Sequence, residues 1–119
     1  MDDKITISEL KKSVQKFCEV RDWDKFHGPK DLAIGISTEA NEILQHFRFK
    51  SEEESKKLLE DKPEIAEELA DVFYFLLRFS QMYDIDLSEE LENKLNKNDL
   101  KYPVDKVKGL NKKYSEYKE

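Results

Sequence analysis

This chain of 119 residues carries only three glycines and three prolines. A backbone with so few positions suited to tight reversals makes few of them, and long helices satisfy that constraint better than many short strands. The apolar residues repeat accordingly. Thr6 with Glu9 predicts a capping box, and Leu10, Val14 and Phe17 follow at helical spacing. Leu32, Ile36, Ala40, Ile43, Leu44 and Phe47 form a second stripe, opened by Gly28 and by Pro29 in the first helical turn. Ser51 and Glu54 predict another capping box at the start of a short charged helix, which Pro63 interrupts while starting the next. There, Ile65, Leu69, Val72, Phe73, Leu76 and Leu77 supply the buried face. Ser88 is expected to cap a last helix carrying Leu91 and Leu95. No stretch alternates as a strand does, and no internal repeat occurs. The expectation is an all-α fold of the four-helix-bundle type, with helices over about 6–21, 29–49, 63–84 and 88–101 and a short charged helix over about 52–61.

A chain of this length suits one domain, 1–119, in which 103–119 is a basic tail free to be flexible. Forty percent of the residues are charged against 38% hydrophobic, so a single copy has a thin core and self-association is a common remedy. The net charge of −6 argues against a protein that coats nucleic acid. The charge is uneven: residues 52–71 hold nine acids against three lysines, and residues 94–119 hold eight lysines against four acids. An acidic middle and a basic end can divide the handling of a cation and an anion, although solvated helix faces account for the charge equally well. The one cysteine, Cys18, excludes an internal disulfide and a multi-cysteine zinc site, and reads as a small apolar filler of the first helix. The opening MDDKITISEL lacks the basic-then-apolar pattern of a signal peptide. The longest purely apolar run, residues 72–77, is far short of a membrane span, so a cytoplasmic location is expected.

Residues 67–77, EELADVFYFLL, place acids on the approach to the greasiest run of the chain. On a helical wheel, Glu68 projects within roughly 20° of Phe79, at the border of the apolar stripe, with Asp71 and Glu64 on the same flank. In the 29–49 helix, Glu39 lies within roughly 20° of Leu32, with Glu42 one turn on and Gly35 and His46 completing the row. Two helices thus each present acids at i and i+3, on the flank where an antiparallel pair would meet. Four converging carboxylates repel unless cations join them, and an all-oxygen set suits magnesium or manganese. Either pair alone is commonly decoration on a solvated helix; two pairs at the apolar border favour a site. A di-iron centre would need Glu-x-x-His pairs, and neither acid pair has a histidine at that offset.

The segments TEANEI and EIAEELADVFYFLL resemble the metal-binding signature of the MazG-like all-α nucleoside triphosphate pyrophosphohydrolases. The stretch RDWDKFHGPKDLAIGISTEANEILQHFRFK is similar to the first half of the dCTP pyrophosphatase branch, and NKLNKNDLKYP to its closing motif on the phosphate side. The similarity covers roughly residues 7–109, with its pieces in order and at matching spacing. It implies a four-helix-bundle-type MazG-like domain and hydrolysis of a nucleoside triphosphate to monophosphate and pyrophosphate. By resemblance, Glu39, Glu42, Glu68 and Asp71 hold the metal, Mg2+ with Mn2+ as a substitute. Lys94, Asn98, Lys101 and Tyr102 then lie near the phosphates or sugar, and Trp23, His27 and Phe49 around the base. The resemblance also implies dimers or tetramers with sites at subunit interfaces, and a role in clearing nucleotides from the pool. The chain departs from the pattern at Phe49, where tryptophan is usual in the dCTP branch, and at Asn41, where glycine is frequent.

Without the resemblance, Lys94 and Lys101 read as ordinary surface lysines, His27 as a loop closure, His46 as a partly exposed neighbour of the acids, and Phe73 and Phe75 as core or interface residues. Trp23 reads equally as a docking anchor or a stacking platform. The expected substrate is dCTP or a modified pyrimidine deoxynucleotide. A dUTP- or general-NTP-preferring enzyme is the alternative within the class, and a helical interaction module without activity is the alternative outside it.

Overall fold

Six α-helices and no strand form among residues 1–117, the part of the chain that the computed structural model describes. They are α1 (Ile7–Glu19), α2 (Pro29–Phe47), α3 (Glu52–Asp61), α4 (Glu64–Met82), α5 (Leu87–Lys101) and α6 (Val104–Val107). Short 3-10 turns occupy Asp24–Phe26 and Tyr114–Tyr117. Both expected capping boxes form: Thr6 with Glu9 opens α1, and Ser51 with Glu54 opens α3. Gly28 is the N-cap of α2 with Pro29 inside its first turn, and Pro63 precedes α4. The cap of α5 differs from expectation. Asp86, not Ser88, accepts the backbone N–H of Glu89 at 3.0 Å, so the helix begins at Leu87 and Ser88 lies within its first turn. A carboxylate two residues earlier reaches the unpaired N–H and also offsets the helix dipole. Helix ends fall one or two residues inside the expected bounds where the backbone turns left-handed, at Asp22 (φ 56°), Phe49 (61°) and Asp84 (54°).

The chain divides into two compact units, Met1–Ile85 and a second beginning at Asp86. In the first, α4 packs against both α1 and α2, and α3 touches α2. Facing pairs show that α2 and α4 run antiparallel: His46 meets Glu68, Glu39 feels Asp71, and Gly35 abuts Phe75. The buried apolar residues are few, Cys18, Leu32, Ile65 and Leu77, and they are joined by Arg78 and Ser80. The single buried stripe centred on Leu69 needs correction. Contacts to α1 leave from Tyr74 and those to α2 from Glu68 and Phe75, so α4 is held by two flanks. The row between them on the far side stays in solvent within one chain: Leu69 is 55% exposed, Phe73 40% and Leu76 39%. In the second unit, α5 is followed by α6, and the hydroxyl of Tyr102 accepts the backbone N–H of Tyr114 at 3.1 Å. No helix among the described residues is long and apolar enough to cross a membrane.

Candidate active site

Glu39 and Glu42 on α2 face Glu68 and Asp71 on α4. Burial, then a hydrogen bond with Glu42, then the charges of Glu42, Asp71 and Glu68 hold the Glu39 carboxyl above the ordinary glutamate range. Glu39 thus feels the charge of each of the other three acids. Glu39 Oε2 and Glu68 Oε2 are shielded from water and have no hydrogen-bond partner. His46 Nε2 lies 2.6 Å from Glu68 Oε2. A buried acceptor left without a donor costs on the order of 1–3 kcal/mol, and neighbouring negative charge adds to that cost. Carboxylate oxygens are the donors that hard divalent cations take. Among the described residues, no three His, Cys, Asp or Glu side chains draw close enough to cage a metal ion. The acids gather without closing a cage.

Beside them opens a cavity of about 600 Å³, within the size range of small-molecule sites. α1 contributes Ser13, Val14 and Phe17; α2 contributes Glu39; α4 contributes Ala70, Asp71, Tyr74 and Phe75; and Trp23 enters from the turn after α1. One acid from each pair thus shares a hollow with the single tryptophan. The walls are aromatic and mutually braced. Trp23 meets Phe17 edge-on at 5.7 Å between ring centres, Phe17 meets Tyr74 at 6.1 Å, and Tyr74 meets Phe75 at 5.0 Å. The Arg21 guanidinium covers Phe17 at 3.8 Å, and Cys18 Sγ lies 3.1 Å from the Tyr74 hydroxyl. Burial and that contact push the Tyr74 hydroxyl above the ordinary tyrosine range, so it stays protonated. Cys18 fills space as expected and also pins a wall.

Residues 34–117 match the model of the MazG-like family. The chain belongs to the MazG-like family. Among its relatives, dCTP pyrophosphatase 1 of Mus musculus is 27% identical over 114 residues, spanning 93% of this chain and 67% of the relative. The dCTP pyrophosphatase 1 of Homo sapiens is 25% identical over 114 residues, with 93% and 67% covered. A crystal structure of a pyrophosphatase from Archaeoglobus fulgidus superposes with a TM-score of 0.78 at 37% identity, covering 82% of this chain and 92% of that one.

In this MazG-like chain the remaining candidate residues fall into three places. His27 closes the turn before α2: its Nδ1 accepts from Arg78 Nε at 2.8 Å, and its carbonyl accepts from the Tyr83 hydroxyl at 2.9 Å. Burial and the Arg78 charge hold its pKa below the ordinary histidine value, so the ring is neutral. Its edge meets Trp23 at 6.4 Å, but it does not line the cavity. Phe49 also lies outside the cavity lining; it follows α2 at positive φ and is 94% exposed, with the Arg48 guanidinium 5.0 Å from its ring. Lys94, Asn98 and Lys101 recur at i, i+4 and i+7 on one face of α5 in the second unit, and Tyr102 follows at its end. Sequence reasoning did not find Phe17, Tyr74 or Phe75 as cavity walls. The only available signal was spacing, since Tyr74 and Phe75 stand three and four residues after Asp71.

Proposed function

We infer that the chain hydrolyses dCTP or a modified pyrimidine deoxynucleoside triphosphate to its monophosphate and pyrophosphate, with Mg2+ or Mn2+ held by Glu39, Glu42, Glu68 and Asp71. The broader class rests on its MazG-like family membership, on relatives that are dCTP pyrophosphatases and on a pyrophosphatase structural neighbour: the chain is a nucleoside triphosphate pyrophosphohydrolase. The observation that carries the finer reading is the shared hollow, in which Glu39 and Asp71 meet the Trp23 indole. A triphosphate spanning it would set its charged end at the acids and its base against the aromatic walls.

When bound, the cation would neutralise phosphate charge and polarise an attacking water. The chain's own residues do the rest. The Glu39 carboxylate, whose Oε2 has no hydrogen-bond partner, would take the proton from the attacking water. Trp23 offers a stacking face, a contact worth about 1–3 kcal/mol for any base. Lys94 and Lys101 on α5 would steady the departing pyrophosphate as point charges, with Asn98 and Tyr102 near the sugar. His27 supports the base wall, and Phe49 supplies a further aromatic face. The exposed row Leu69, Phe73 and Leu76 is an apolar surface that a second copy would cover, giving a homodimer or homotetramer. A nucleotide-pool role goes with a cytoplasmic location.

Incubation of the protein with each ribo- and deoxynucleoside triphosphate and Mg2+, counting pyrophosphate and orthophosphate separately, tests this. Pyrophosphate release with the highest kcat/KM for dCTP is expected. Release of orthophosphate alone, or no release from any triphosphate, overturns it. Sedimentation showing a stable monomer at micromolar concentration refutes the assembly.

A further inference from the structure

Among the described residues, Arg78 is the largest fully buried side chain, at 0% exposure, in a core otherwise made of a few small and aliphatic residues. A guanidinium taken out of water costs several kcal/mol unless its donors are paired, and replacing such a group with apolar side chains is frequently neutral or stabilising. Here all three nitrogens are paired. Nη1 donates to Gln81 Oε1 at 2.6 Å, Nε donates to His27 Nδ1 at 2.8 Å, and Nη2 donates to Asp24 Oδ1. Two of the three partners belong to the short turn that carries Trp23, whose backbone is otherwise tied by Trp23 N–H to Cys18 O at 3.1 Å, Phe26 N–H to Trp23 O and His27 N–H to Asp24 O. The Tyr83 hydroxyl adds a third tie from α4 to the His27 carbonyl. The grip then passes to the cavity wall, because the His27 ring abuts the Trp23 indole. Arg78 also stands seven residues after Asp71, on the same face of α4 and about 10 Å along the axis. One rigid helix therefore carries an acid of the site and, two turns on, the anchor of the opposite wall.

We propose that Arg78 is a positioning residue: through Asp24 and His27 it fixes the angle and distance of Trp23 over the cavity, and so sets the affinity for the substrate base. This rests on the triphosphate reading above. It differs from a purely structural role, in which the arginine stabilises the fold and leaves the indole indifferent.

Trp23 is the single tryptophan, so its fluorescence reports the wall directly. The test uses Arg78→Lys, Arg78→Met and Asp24→Ala in the full chain, with far-UV circular dichroism to establish folding. Asp24→Ala keeps Arg78 with two of its three hydrogen-bond partners, and circular dichroism decides which of the variants are folded and can be compared. Acrylamide quenching and anisotropy decay of the ligand-free protein are read first, then kcat and KM for the triphosphate that the wild type cleaves best. The expected result is a more mobile indole and a KM raised about tenfold with kcat within about twofold. Arg78→Lys, which keeps the charge but not the fork, should fall between the wild type and Arg78→Met. Folded Asp24→Ala and Arg78→Lys proteins with wild-type indole mobility overturn the proposal. So does a mobile indole with unchanged KM, or a fall in kcat alone. A wild-type protein that cleaves no triphosphate overturns the functional reading and with it the link to KM; the indole measurement then decides the positioning of Trp23 by itself.

Discussion

Gly35→Ala probes a close approach of α2 to α4 at the Phe75 ring. A methyl built at Gly35 lies 2.5 Å from Cε1 of Phe75 and 2.7 Å from its Cδ1 and Cζ. Carbon atoms rest about 3.5–4.0 Å apart, so the ring edge must retreat by about 1 Å. Overpacking of this kind costs about 1–3 kcal/mol, whereas alanine in a helix interior is favoured over glycine by about 0.8–1 kcal/mol. The net expectation is a loss of about 0–2 kcal/mol. The sign should reverse when the ring is removed first: in a Phe75→Leu background, Gly35→Ala should stabilise by up to about 1 kcal/mol. Urea unfolding of the four proteins at one fixed concentration, followed by far-UV circular dichroism, closes the cycle. Because Phe75 lines the cavity, the displaced ring in the single variant should also raise KM. Stabilisation by about 1 kcal/mol in both backgrounds would show that the ring has room to spare, and the close-approach argument would fail.

Glu68→Gln and Asp71→Asn should each lower kcat/KM by about 100-fold or more with the helical content intact; full activity in both variants rules out the acid site. The Glu39 carboxyl is held above its ordinary range, so the folded chain binds that proton more tightly than the unfolded chain. Its contribution is complete below the unfolded pKa and is lost as pH rises through the folded one, so metal-free stability should show this decline. Glu39→Gln should remove that component, and identical pH–stability curves for the two proteins would contradict the assignment. Trp23→Ala should raise KM about 5- to 150-fold, the equivalent of 1–3 kcal/mol of stacking, with kcat little changed; an unchanged KM for every triphosphate makes the ring structural. Phe49 sits in the left-handed region, so Phe49→Asn should stabilise the chain by about 1 kcal/mol, whereas Phe49→Trp should tighten dCTP binding if that ring stacks on the base; a thermal shift series and KM measurements check both.

The elements of the fold were legible because they depend on neighbours in sequence. The capping boxes at Thr6 and Ser51, the Gly28–Pro29 start of α2 and the apolar period are local facts, decided within four residues by backbone hydrogen bonds and side-chain angle. The same angular logic put Glu39, Glu42, Glu68 and Asp71 on facing flanks, since two i, i+3 rows can meet wherever the helices pack. Ser88 shows its limit: Asp86, two residues earlier, is the residue whose oxygen reaches the free N–H. Tertiary structure decided what periodicity does not encode. A wheel states which way a side chain points, not what stands there. With α4 wedged between α1 and α2, two flanks rather than one stripe are buried, and Leu69 is left in solvent. Arg78 with Asp24, Cys18 with Tyr74, and Gly35 with Phe75 are each tens of residues apart in the chain, and no local preference anticipates them. The candidate acids follow from the order of residues along two helices. The cavity beside them exists only once α1, α2, α4 and the turn carrying Trp23 come together.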